Sequence, residues 1–447
     1  MPNNTLATNL QRLVTAKSDI ADAITAKGGT VNQGDGFEEF PADILTIPTP
    51  PPTPTIYGYH VNPSESDPAA AVTYVEDAVG MTPAKMGSTS FSYGSWGDAW
   101  FLPKPCVLKY DGTVDYYLDP NDYTKKADGT AATITTSNTT GNVMMEFPKI
   151  YIKRVPGSVD GERTVYIAQT NVDGNYKCFS NVNASNQEID HFYMAAYDVS
   201  VITQSSTQRT RSLSGVTLNS TNAPETTVST EVSTATANGS NWYTGVWADW
   251  CLIYDLLYLM GKSLDLQGTY GQGITSGSQT AKESYATGSL NDKGLFYGDI
   301  SGRSTAVKVL GIENFWGLRY KRIAGLLTGT SSIMVKMTRG TYDGSTASDY
   351  NTTGTGYLNF GTPTNTGGYV SKMTADNVMG YKATAFSGSS TTYYCDYGYY
   401  YKPSSGTYYA YVGGYSNADA SCGFCVILST SASASNWGVE GSLSCKP

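Results

Sequence analysis

Residues 247–261 constrain this chain more than any other stretch. Trp247, Trp250, Cys251, Ile253, Tyr254, Leu256, Leu257 and Met260 cover nearly the whole circumference of a helix. A helix that is apolar all round has no face for water and is buried by the elements around it. Most of the remaining apolar segments read as strands: residues 56–63, 143–153, 164–168, 307–317 and 332–337. Residues 107–118 read as a hairpin about the Asp111-Gly112 turn. Residues 67–79 read as a short helix with Ala71, Val72, Val75 and Val79 on one face. Residues 203–240, almost wholly Ser, Thr and Asn, and residues 268–302 read as surface loop. The expected fold class is α+β and β-rich.

The N-terminus has a different character. Leu6, Leu10, Leu13, Lys17, Ile20 and Ile24 follow alternating spacings of four and three, a heptad seam with one polar insertion. Gly28-Gly29 ends the helix. A seam this short is marginal alone in water and must pack on something. Two partners fit: a hairpin with residues 37–47 through Phe40, Ile44 and Leu45, or other copies of the same helix. Residues 48–54, Pro-Thr-Pro-Pro-Pro-Thr-Pro, form a semi-rigid polyproline spacer. The expected organisation is therefore a helical oligomerisation segment at 1–47, a proline-rich linker at 48–55 and a large body at 56–447.

Composition excludes several functions. The 447 residues carry a formal charge of −9, which disfavours nucleic acid as a partner. Charged residues make up 15%, well below the usual value of about 25%, which fits a surface-recognition protein better than a housekeeping enzyme. No apolar run approaches the roughly 20 residues of a membrane span, so no membrane insertion is expected. No signal peptide is recognisable at the N-terminus. Seven cysteines, an odd number without framework spacing, read as free thiols made in a reducing cytosol. Cys422 and Cys425 have zinc-like spacing, but the chain has only His60 and His191 and they are far apart. No metal, cofactor or catalytic residue is expected. The acidic cluster Asp111, Asp115, Asp119 and Asp122 reads as turn chemistry.

The C-terminal residues 389–447 are rich in Tyr, Ser, Gly and Asn, with only Asp396, Lys402, Asp419, Glu440 and Lys446 charged. Recognition surfaces favour these residues, because Tyr gives amphipathic area at low entropy cost and Ser, Gly and Asn give adaptable hydrogen bonds. Simple strand alternation accounts for about half of the tyrosines. It leaves the runs Tyr393-Tyr394 and Tyr399-Tyr400-Tyr401, whose members point to both faces. The expected ligand-binding residues are Tyr393, Tyr394, Tyr397, Tyr399, Tyr401, Tyr409, Tyr411, Tyr415, Ser416, Asn417, Asp419, Phe424, Ser435 and Trp437.

Several segments carry a resemblance. Residues 5–47, with Asn-Leu-Gln-Arg-Leu and Phe-Glu-Glu-Phe-Pro, are similar to N-terminal segments of tail proteins from phages and prophages of gut bacteria. Tyr57-Gly-Tyr-His-Val-Asn-Pro, Val143-Met-Met-Glu-Phe-Pro-Lys-Ile and Gly311-Ile-Glu-Asn-Phe-Trp-Gly resemble body segments of the same proteins. The 247–261 helix, the 312–317 segment and the run from Val412-Gly-Gly-Tyr to Trp437-Gly resemble the C-type lectin-like fold, shared with the formylglycine-generating enzyme. They are most similar to the variable proteins of diversity-generating retroelements, whose C-terminal segment is rewritten at adenines. Residues 440–444, Glu-Gly-Ser-Leu-Ser, stand where that family carries a Gly-Ala-Arg-Leu-like run. The resemblance implies a virion tail receptor-binding protein, made in the bacterial cytoplasm and acting outside the cell. It would form a homotrimer, join other tail proteins, and bind a host cell-surface protein or glycan through a variable region at about 389–447. The alternatives are a non-viral cell-surface binding protein of the same fold and an oxidase of the formylglycine-generating type.

Overall fold

The computed structural model describes residues 6–32, 34–47, 54–340, 350–416 and 422–447. The chain divides into two compact units, Met1–Pro54 and Thr55–Pro447. In the first, helix Leu6–Ala26 is closed by the amides of Gly28 and Gly29, which donate to the carbonyls of Thr25 and Ile24. A second helix, Phe40–Ile44, packs on it. Ile24 and Phe40 are buried, but Ile44 and Leu45, expected in the same contact, are 50% and 86% exposed. A single helical turn brings only one apolar residue inward. The rest of the seam is bare: Leu6, Leu10, Leu13 and Ile20 are all exposed.

The second unit is built around helix Trp247–Gly261, all of whose residues are buried. At 15% helix and 31% strand the chain is a β-rich α+β protein. An antiparallel sheet in the order Val72–Glu76, Ile56–Val61, Arg163–Ala168, Tyr151–Pro156 packs on the helix through Ile56–Val61. Strand Tyr320–Thr328, from a larger sheet, packs on it as well. That strand bulges at Gly325, where φ is +93° and a side chain would strike the Lys336 carbonyl. A seven-stranded sheet, centred on Gly141–Pro148 between Lys104–Lys109 and His191–Ala195, completes the body.

One buried polar cluster ties the helix to the first of these sheets and to strand Gly380–Ala385. Asp255, on the central helix, accepts from Arg154 Nε at 2.9 Å and Nη2 at 2.5 Å. Its other oxygen accepts from the hydroxyls of Tyr59, at 2.9 Å, and Tyr381. Burial works against the Arg154 charge, but Asp255 together with Tyr381 and Cys251 outweighs it and the guanidinium pKa is raised. Each partner comes from a different strand, so the cluster fixes both the depth and the rotation of the helix.

Three sequence expectations are corrected. Residues 72–76 are a strand, paired from Val61↔Val72 to Tyr57↔Glu76, and Val79 is exposed. The β-branched Val72, Thr73 and Val75 suit a pleat, and a free sheet edge beside them outweighs the helical spacing. Residues 203–240 hold ordered elements, a hairpin of Ser200–Gln204 with Thr207–Arg211 and helix Val228–Thr236. Thr227 caps that helix by accepting from the Thr230 amide, a role that threonine-rich sequence performs well. The run 143–153 breaks after Pro148 into strands of two different sheets, because proline cannot donate to a ladder. The 107–118 hairpin and the 164–168 strand fold as expected, within Lys104–Lys109 with Val114–Asp119 and Arg163–Ala168.

Replacing Asp255 with Ala would leave the Arg154 charge buried and unpaired. The expected loss of stability is about 3–5 kcal/mol, read by urea denaturation. A loss below about 1 kcal/mol would show that the cluster does not hold the helix in place.

Candidate ligand-binding groove

The C-terminal stretch is woven into the body. The largest sheet runs Leu358–Asn359, Ile333–Val335, Tyr320–Thr328, Tyr408–Val412, Val426–Thr430, Tyr397–Tyr400, Gly367–Tyr369, with Val439–Glu440 parallel to the start of Tyr320–Thr328. Ser444–Cys445 then inserts into the seven-stranded sheet between Trp242–Tyr243 and His191–Ala195. Main-chain anchors hold the turns. The buried Asp396 carboxylate accepts the amides of Gly423, at 2.7 Å, and Phe424, at 2.5 Å. Gln267 Oε1 accepts the Cys422 amide at 2.8 Å. Gly414, with φ +63°, lies so close to Cys422 that a side chain there would meet the sulfur.

Strand alternation decides which tyrosines are available. In Tyr397–Tyr400, Tyr397 and Tyr399 are half-buried on one face while Gly398 and Tyr400 face the core. Tyr369, Tyr397, Tyr399 and Tyr401 form a ladder with ring centroids 4.9, 4.9 and 5.8 Å apart. It leads into an open groove of about 470 Å3. Tyr411, Ile427 and Val439 form the floor, as part of a small apolar cluster with Cys425. Tyr399 and Tyr401 stand on one side; Tyr320, Tyr415 and Trp437 line the groove as well. Tyr415 stacks on Tyr320 at 5.0 Å and meets Trp437 edge-on at 6.1 Å. Ser429, Thr430 and Asn436 add hydroxyl and amide groups.

Among the described residues, no lysine, arginine, aspartate or glutamate lines this groove. Burial, then the neighbouring Tyr397, pushes the Tyr399 phenol up to about 12, and burial raises the Tyr320 phenol further. Both are therefore neutral hydroxyls at physiological pH, able to donate and to accept. Behind the floor, Arg322 donates to Glu231 at 2.8 Å, to the Tyr411 hydroxyl at 3.3 Å and to the Ala434 carbonyl at 2.8 Å. Burial lifts the Glu231 carboxyl to about 7, with Arg322 opposing it. This pair ties the groove floor and the 431–437 segment to helix Val228–Thr236.

Of the residues expected to bind ligand, Tyr399, Tyr401, Tyr411, Tyr415 and Trp437 converge on the groove. Tyr397 extends the ladder beside it, and Ser435 is exposed on the adjoining segment. Tyr393 is half-buried elsewhere, with a φ of +59° that turns it away from Tyr394. Four expectations are corrected. Tyr394 is buried and accepts from Arg163 at 2.5 Å. Tyr409 is buried in the core, on the side of the sheet that meets Val228 and Val232 of helix Val228–Thr236 and Tyr243. Phe424 packs on Tyr254 with centroids 4.1 Å apart. Ser416 is buried, its amide bound to the Leu318 carbonyl. Tyr411 is 3% exposed, so it serves as floor more than as contact. Asn417 and Asp419 lie outside the described residues.

Sequence reasoning missed Tyr320 and Tyr369. Tyr320 begins a strand whose other eight residues are all buried, so no alternation marks it as outward. All seven cysteines are free and buried. Burial, above all, raises the Cys422 and Cys425 thiols well above their ordinary range. Among the described residues, no group of three or more His, Cys, Asp or Glu is placed to hold a metal ion, and no helix is long and apolar enough to cross a membrane. No protein-family model matches this chain, and no curated protein matches it significantly.

Tyr409→Ala and Tyr401→Ala should separate core from groove. The first is expected to cost about 3–5 kcal/mol, the usual penalty for emptying a buried aromatic site. The second should stay within about 1 kcal/mol. Thermal melts of the two variants check this, and equal losses would contradict the assignment.

Proposed function

We propose that this protein is a phage or prophage tail receptor-binding protein whose C-terminal aromatic groove binds a host cell-surface protein or glycan. The observation that carries the reading is the groove itself: rings and uncharged polar groups from the Tyr/Ser-rich stretch converge in one open concavity. Aromatic residues are enriched at binding hot spots, and a neutral groove favours stacking and hydrogen bonding over ion pairing. The body is a C-type lectin-like domain in this reading, related to the variable proteins of diversity-generating retroelements. The β-rich body around one buried helix is consistent with it.

The action is binding without covalent chemistry. Buried thiols with raised pKa values do not form the thiolates that an oxidase of the formylglycine-generating type would use. The protein acts on the virion, outside the cell, joined to other tail proteins and without nucleic-acid or membrane partners.

Replacing Tyr399 and Trp437 with Ala should each lower host-cell adhesion at least tenfold, as expected for hot-spot aromatics worth about 2 kcal/mol. Melting temperatures should change little. Well-folded variants that still adhere would contradict the proposal.

The exposed seam of helix Leu6–Ala26 supports homotrimerisation through the first unit. Leu6, Leu10 and Leu13 are 77%, 53% and 55% exposed, more apolar surface than a helix in water retains without a partner. Trimers would also multiply a weak single-site affinity. Light scattering should give a trimer for the full chain and a monomer for residues 56–447. The same state for both would exclude the helix as driver.

A further inference from the structure

Lys282 lies in the short helix Gln279–Glu283, far in sequence from the C-terminal stretch. Its side chain is 1% exposed. The ammonium nitrogen stands over two rings that line the groove, 4.4 Å from the centroid of Tyr415 and 4.1 Å from that of Trp437. It has no hydrogen-bond acceptor among the described residues. Lys308 makes a useful contrast: it is as deeply buried and sits 3.6 Å over Tyr123, yet it donates to the Leu290 carbonyl at 2.9 Å. Lys282 has only the π faces, which offset part of the cost of burying a charge.

Among the described residues, its charged surroundings do not supply a counter-ion. Arg319 and Lys321 repel it, while Glu440 and Cys422 act in the opposite sense. Arg319 is bound to the carbonyls of Ala223 and Leu218. Lys321 already engages Glu440 at 3.4 Å and Asp198 at 2.9 Å. On the same short helix, Glu283 accepts from Gln279 at 2.8 Å. Among the described residues, the titratable side chain it touches is Tyr415 itself.

We propose that Lys282 is an acid-sensitive latch on the groove, seating Tyr415 and Trp437 when its amine is neutral and leaving them for water when it is protonated. This rests on the reading of the groove as the binding face. Burial first, then Arg319 and Lys321, brings the Lys282 pKa down to about 7. The sign follows from linkage. A lysine whose folded pKa is depressed contributes stability that is complete above its unfolded pKa and is lost as pH falls through the folded one. Below about pH 7 the closed arrangement therefore carries a buried, unpaired ammonium, and opening solvates it. The open-to-closed ratio rises by at most about tenfold per pH unit as pH falls from the ordinary lysine range, roughly 10.4, to about 7, and levels off below that, where both arrangements hold the proton. Ligand held between the rings is released over the same range.

Acrylamide quenching of Trp437, taken as wild type minus Trp437→Phe between about pH 5 and about pH 9, tests this without any ligand. The expected result is quenching that increases as pH falls from about 9 and levels off below about pH 7. Lys282→Met keeps the apolar stem and should abolish the transition. Lys282→Arg, charged throughout, should be quenched strongly at both ends. A flat wild-type titration, or a transition that persists in Lys282→Met, overturns the latch; if Lys282→Met does not fold, a transition that persists in Lys282→Arg, as titration of Glu231 would give, overturns it as well. Host-cell adhesion by wild type should fall over the same range and should no longer fall in Lys282→Met. Adhesion by wild type that is constant across the range also overturns the latch. Absence of adhesion at every pH, with the fluorescence transition present, overturns the binding reading instead.

Discussion

A carboxylate buried in the middle of this protein has to be matched or it would unfold what surrounds it, and Asp255 is matched on every side. Arg154 takes one oxygen and two tyrosine hydroxyls take the other. Such a cluster adds little net stability compared with an apolar core, but breaking it is expensive, so it acts as a specification of geometry. With its rotation set, the helix presents Tyr254, Tyr258 and Trp247 to Phe424. Phe424 belongs to the turn whose amides Asp396 holds. The position of the C-terminal strands, and hence of the groove, follows from the position of the helix.

The groove is supported mainly through the backbone. Asp396 and Gln267 bind amides of residues 422–424, and Arg322 binds the Ala434 carbonyl. Outward side chains such as Tyr399, Tyr401 and Ser435 take no part in these anchors. A surface built this way can change its outward residues with little effect on the fold, since surface substitutions usually alter stability by less than about 0.5 kcal/mol. Tyr411 marks the limit, because its hydroxyl is bound to Arg322 and its ring closes the floor.

The central helix was legible because Cys251, Leu256 and Leu257 lie on different faces, and only full burial satisfies such a pattern. The N-terminal helix was legible from its period and its glycine stop. The 72–76 strand was not, because Val72, Val75 and Val79 fit a helical spacing and only the neighbouring strand decides against it. Helix Val228–Thr236 was hidden by its Ser and Thr content; its buried Glu231 finds Arg322 from a distant strand. The groove was half legible. Alternation marked Tyr397, Tyr399 and Tyr401, but Tyr394, Tyr409 and Phe424 have the same residue type or setting and face the core. Lys282 carried no signal, since its meaning comes only from Tyr415 and Trp437 placed over it.

The central claim is that the aromatic groove is the surface that meets the host. Hydroxyl-radical footprinting of the protein, free and bound to host cells, reads it most directly. Tyr399, Tyr401, Tyr415 and Trp437 should become protected on binding, while Tyr117, 40% exposed on the seven-stranded sheet, should not change. Unchanged oxidation of the four groove residues, with protection elsewhere on the body, would contradict the account.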